Sequence, residues 1–181
     1  MKILNLFCSC TGNTKKIALQ IEKSAQCLGH DVTTIEVVAK TNENVFNFLD
    51  FDFVFIGSGV YSWLPPKFMC DFLAAMLKKH IKQDDVKGCA PRIAGKRAVA
   101  YCTYGGAHTG INEAVITPKY LGQLLDHLGF EIVTEWLFEG QYNSEGYAHW
   151  SVDGRLGDIT GRPNADDLRK AGALVTGILK V

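Results

Sequence analysis

The chain has 181 residues, 47% of them hydrophobic, with 19 basic and 19 acidic side chains. That length suits one domain, residues 1–181, with a substantial core. The even charge lacks the basic excess with which nucleic-acid-binding domains replace phosphate counterions. No stretch approaches the roughly 18 apolar residues of a membrane span, and the apolar run in MKILNLF is too short for a secretory signal. The expectation is a cytoplasmic protein with no nucleic-acid partner and no membrane span. Six scattered cysteines, at positions 8, 10, 27, 70, 89 and 102, form no C-x-x-C pair and no Cys/His zinc spacing. They read as reduced thiols, several acting as small hydrophobes, and no metal site is expected.

Lys2–Phe7, KILNLF, is a short apolar run of the kind that forms a buried parallel strand. From Asn13 to about Leu28, apolar Ile17, Ala18, Ile21, Ala25 and Leu28 recur at helical spacing, and Gly29 supplies a stop. Asp31–Val38 is β-branched and reads as a second strand. FDFVFIGSGVY carries a third, bounded by Gly57 and Gly59, and Pro65-Pro66 opens a helix running to about His80. QDDVKGCAPRIAG is a polar loop. Lys96–Tyr104 reads as a fourth strand, followed by the glycine-rich GGAHTG. A helix with Leu121, Leu124, Leu125 and Leu128 on one face leads to a fifth strand, Glu131–Phe138. A long loop spans about Glu139 to Pro163. Asn164 then caps a last helix, with Asp166 and Asp167 in its first turn, where the helix dipole favours acid.

Strands alternating with helices spell an α/β fold: a doubly wound, five-stranded parallel sheet with helices on both faces. Such sheets bind ligands at the carboxyl ends of their strands, where the strand order reverses. The loops after strands one, three and four are therefore the candidates.

Ser9-Cys10-Thr11-Gly12-Asn13-Thr14 follows strand one and leads straight into a helix. Successive backbone N–H groups there, backed by the helix dipole, make an anion site. The hydroxyls of Ser9, Thr11 and Thr14 and the Asn13 amide can donate to phosphate oxygen; the competing reading is an ordinary helix cap. The loop has no P-loop lysine and no G-x-G-x-x-G, which counts against triphosphate chemistry and a Rossmann-type dinucleotide. After strand three, Gly59, Val60, Tyr61, Ser62 and Trp63 put two aromatics beside two prolines. After strand four come Thr103, Tyr104, Gly105 and Gly106. A phosphate grip, flat aromatic walls and bare glycine amides suit a planar heteroaromatic ring with a phosphate tail. No nucleophile–base pair is evident, so no catalytic residue is assigned. His108 is near enough to donate a proton, though a solvent-facing or capping role suits it better.

These loops resemble those of a known family. Ser9 to Thr14 matches the phosphate-loop pattern [ST]-x-T-G-x-T of the flavodoxins at every specified position, and the order of elements is similar over nearly the whole chain. The resemblance implies strand order 2-1-3-4-5 and non-covalently bound FMN. It assigns the phosphate to Ser9–Thr14, and the ring to the loop from Gly59 to Leu64 and to Thr103–Gly106. It implies transfer of electrons between redox protein partners. The alternatives are an FMN-dependent reductase that takes hydride from NAD(P)H and reduces a quinone-type acceptor, and a flavin-binding module without turnover. Three departures bear on the choice. No Gly lies between Gly59 and Pro65, the composition is not acidic, and the 139–163 loop carries Tyr142, Tyr147, His149 and Trp150. Those four either cover the ring, meet a partner, or pin the loop to the body.

Overall fold

Five of the chain's apolar runs become five strands: β1 Lys2–Phe7, β2 Asp31–Glu36, β3 Phe53–Gly59, β4 Arg97–Tyr104 and β5 Glu131–Glu139. The structure is a computed structural model that describes residues 1–180. The strands form one sheet in the order β2-β1-β3-β4-β5, with every neighbouring pair parallel. Parallel pairing requires crossovers, supplied by α1 Asn13–Cys27, α2 Lys67–Lys82 and α3 Ile116–His127. α4 Trp150–Asp153 and α5 Ala165–Leu179 follow β5.

The central strands are apolar on both faces because both faces are covered. Leu4, Leu6, Val54 and Ile56 pack against Met69, Phe72 and Met76 of α2 and Leu121 and Leu125 of α3. On the other face Ile3, Phe7, Phe53 and Phe55 meet Ile17 and Ile21 of α1 and Ala171 and Val175 of α5. Each large side chain buried this way contributes about 2 kcal/mol. The layering leaves the carboxyl ends of β1, β3 and β4 side by side at one edge, with β1 and β3 leaving in opposite directions.

The structure departs from the sequence expectation at several element ends, and two departures bear on the site. β3 does not stop at Gly57 but runs on to Gly59, paired with β4 throughout. Gly57 is there because Tyr101 on β4 lies across it: a Cβ at Gly57 would come within 2.1 Å of the tyrosine ring. The 139–163 segment is not structureless, since it contains a 3-10 turn at Glu145–Tyr147 and the short α4. The cap on α5 is as expected. Asn164 accepts from the N–H groups of Asp166 and Asp167, and the Asp167 carboxylate accepts from the Asn164 N–H.

Candidate functional site

Chain direction changes at the β1/β3 boundary, and there the anion loop forms. Gly12 is the residue before α1, with φ +89°, and has no side chain to cap the helix; the side-chain acceptor for a first-turn N–H is Ser9 Oγ, which takes Lys15. None of the backbone N–H groups from Ser9 to Thr14 donates to an acceptor among the described residues. The next two are spoken for: Lys15 donates to Ser9 Oγ at 3.2 Å and Lys16 to the Gly12 carbonyl at 3.1 Å. Six consecutive free donors at the positive end of a 15-residue helix make a strong anion cradle.

The polar side chains of this loop are mostly engaged elsewhere. Thr14 is buried, its Oγ1 2.8 Å from Thr103 Oγ1 on β4. Asn13 is buried and donates through Nδ2 to the Gln141 carbonyl at 2.8 Å. Ser9 serves Lys15, which leaves its own proton available. Cys10 is exposed, and its thiol and the Thr11 hydroxyl lie against the Tyr61 phenol. Burial, followed by the Cys10 thiol, pushes the Tyr61 phenol well above its ordinary range, so it stays a neutral donor. Cys8, by contrast, is buried behind the loop, where desolvation pushes it up to about 12, and the same cause does so for Cys102.

A cavity of about 500 Å³ opens beside the loop, in the size range of cofactor sites. Thr11 and Asn13 reach its wall from the anion loop, whereas Ser9, Cys10, Gly12 and Thr14 do not line it. All five expected residues after β3, Gly59 to Trp63, line it. They close on themselves, Tyr61 and Leu64 exchanging N–H···O bonds of 2.8 and 3.2 Å around a turn with Ser62 and Trp63 at φ +48° and +71°. That turn is held to the start of α3 by Thr117 Oγ1, which donates to the Trp63 carbonyl at 2.8 Å. Trp63 itself is 58% exposed.

All four expected residues after β4 line the cavity as well. Here the N–H groups divide as they do in the first loop. Those of Ala107, His108, Thr109 and Gly110 are taken by Tyr142 Oη, by Glu113 Oε1 twice and by the Gly106 carbonyl. Those of Gly105 and Gly106 have no acceptor among the described residues. Tyr104 is not an open wall but a buried floor, packed with Cys102 and Ala114. Burial, with the Glu139 charge nearby, pushes its phenol up to about 12.

The 139–163 segment supplies the remaining side, one of the roles its aromatic residues suggested. Tyr142 lies on Gly105 so closely that a Cβ there would meet its ring at 2.2 Å. Trp150 is the centre of an aromatic group: Tyr147 stacks on it at 4.8 Å and His108 meets it edge-on at 4.9 Å. Of the four side chains considered, Tyr142 pins the segment to the body. Tyr147 and Trp150 line the cavity, and His149 packs on Trp150 at its rim. His108 is exposed and caps nothing; its own N–H is held by Glu113. Glu113, which sequence reasoning did not single out, is the carboxylate that fixes this loop. No Lys or Arg is among the residues lining the cavity.

No protein-family model matches the chain, and no curated protein matches it in sequence. Solved structures do share its architecture. Flavodoxin 2 from Bacillus cereus superposes with a TM-score of 0.66 over 99% of both chains at 21% identity. Oxidised flavodoxin 1 from the same organism gives 0.66 over 99% of this chain and 98% of its own, at 15% identity. The flavodoxin, WrbA-like protein from Agrobacterium tumefaciens gives 0.57 over 94% and 98%, at 16% identity. Together with the strand order β2-β1-β3-β4-β5, these likenesses show that the chain has the flavodoxin-like fold.

Proposed function

We propose that the chain binds FMN in this cavity and passes electrons between redox protein partners. The observation that carries the reading is the pair of free amide runs, Ser9–Thr14 and Gly105–Gly106, on loops that meet at one cavity. The first run fits a phosphate, which the dipole of α1 favours further. The second fits the electron-rich, carbonyl-bearing edge of a flavin ring. FMN, when bound, supplies reversible one- and two-electron chemistry, and the protein supplies binding, orientation and electrostatics.

The residues divide that work by loop. The Ser9, Cys10, Thr11, Gly12, Asn13 and Thr14 amides hold the phosphate, with the Thr11 hydroxyl as a further donor. Gly59, Val60, Tyr61, Ser62 and Trp63 bound the ring on one side. Thr103, Tyr104, Gly105 and Gly106 bound it on the other, where the two glycine N–H groups hold negative charge. Exposed Trp63 leaves this side of the cavity within reach of a docked partner.

The aromatic wall from 139–163, with Tyr142, Tyr147 and Trp150, also fits a second reading, a nicotinamide-dependent reductase. Mixing the FMN-loaded protein anaerobically with NADH or NADPH in a stopped-flow spectrometer tests this. The carrier reading expects slow, concentration-independent bleaching at most; rapid, saturable reduction would replace it with the reductase.

A further inference from the structure

The anion loop does not hold its shape alone. Asn143, in the segment that follows β5, donates through Nδ2 to the Thr11 carbonyl at 2.8 Å and to Asn13 Oδ1 at 3.2 Å, across 132 and 130 residues of chain. Asn13 returns a bond to the Gln141 carbonyl at 2.8 Å. Gln141 is itself fixed, its N–H donating to the Arg162 carbonyl at 2.9 Å and its Oε1 accepting from Gly161. Between them, Gly140 passes so close to Asn13 that a Cβ would lie 2.7 Å from the amide nitrogen. These contacts fall on the carbonyl and side-chain sides of Thr11 and Asn13. The N–H sides of both residues stay free.

We propose that Asn143 and Asn13 form a strap that holds the anion loop with its amides turned out, making Asn143 a positioning residue specific for the phosphate group of the ligand. The inference rests on the FMN reading and extends it to a residue outside the loop motif. Without the strap, the Thr11–Gly12 peptide loses the bond that opposes its rotation, while the Gly12–Asn13 peptide keeps only its bond from Lys16, and an amide row works as a cradle only while its members point one way. Riboflavin has the same ring and lacks the phosphate, so it does not draw on the loop. The ring-binding glycines, Gly105 and Gly106, are held separately by Tyr142 and Glu113 through the residues that follow them.

The test compares FMN and riboflavin binding to flavin-free wild type and Asn143→Ala by quenching of flavin fluorescence. Asn143 is exposed, so the variant is expected to fold. The strap predicts an FMN dissociation constant raised about fivefold or more, the equivalent of one lost hydrogen bond, with riboflavin affinity unchanged. Hydrogen exchange on the flavin-free variant supplies a second readout, faster at Lys15 and Lys16, whose N–H groups are bonded to the loop, and unchanged within β1. Equal weakening of both ligands, or of neither, with wild type binding FMN normally, overturns the strap and leaves the FMN reading standing. Wild type that binds neither ligand overturns the FMN reading, and the strap's assigned ligand with it.

Discussion

The hydroxyls of Thr14 and Thr103 meet at 2.8 Å, tying the first turn of α1 to the last turn-ward residues of β4. Both side chains are buried, so neither hydroxyl has water as a substitute partner. The bond holds the anion loop and the glycine pair at a fixed separation. Thr14→Val is expected to leave Thr103 unpaired and cost about 1–2 kcal/mol, with Thr103→Val costing the same. The double variant should cost less than the sum, by about 0.5–1 kcal/mol. Urea unfolding of the four proteins checks this; strict additivity would mean that the contact carries no stability.

Thr11 lines the cavity, unlike Thr14. Thr11→Ala is therefore expected to weaken FMN binding by about 1.5 kcal/mol, the range for a hydrogen bond to a charged group, with little change in stability. Isothermal titration together with thermal melting separates the two effects.

Gly57 shares its space with the Tyr101 ring, whose Oη also donates to buried Asn5 at 3.3 Å. Gly57→Ala must displace that ring within a packed core, at a cost of about 3 kcal/mol. Tyr101→Phe keeps the ring and removes only the hydroxyl, so it should cost about 1 kcal/mol. Equilibrium unfolding of both variants checks the order; a harmless Gly57→Ala would contradict the packing argument.

Asp167 links β5 to α5 through Arg162, which also donates to Glu139 at 2.6 Å. Burial opposes ionisation of Asp167, yet the Arg162 guanidinium and the Asn164 N–H outweigh it and hold the carboxyl below its ordinary range. A carboxyl lowered by folding stabilises the protein above its unfolded pKa, about 4. That stabilisation disappears as pH falls through the folded value. Asp167→Asn should therefore cost about 2 kcal/mol at neutral pH, and the gap from wild type should close as the pH is lowered below 4. Chemical denaturation at several pH values measures this; a gap independent of pH would remove the ion pair from the account.

The sheet was legible because its strands are buried on both faces. KILNLF can do little else in water than become a central parallel strand, and the spacing of Ile17, Ile21 and Ala25 admits one helix face. The anion loop was legible as a dense local motif. What its side chains do was not, because Thr14 and Asn13 find their partners 89 and 128 residues away. Tyr104 lines the cavity, but its burial against Cys102 and Ala114 was not legible, since it depends on which face strand alternation gives it. The aromatic residues of the 139–163 segment were legible as a cover, but its bonds to the anion loop were not, for the same reason as those of Asn13. These bonds run from side-chain amides to distant carbonyls and leave no period in the sequence.

The central claim, that the free amides of Ser9–Thr14 and Gly105–Gly106 hold FMN, is tested most directly by titrating flavin-free protein with FMN and following flavin fluorescence and absorption. The account predicts saturable quenching at one FMN per chain, a perturbed visible spectrum, and tighter binding of FMN than of riboflavin. Absence of saturable binding, or equal affinity for FMN and riboflavin, would contradict it.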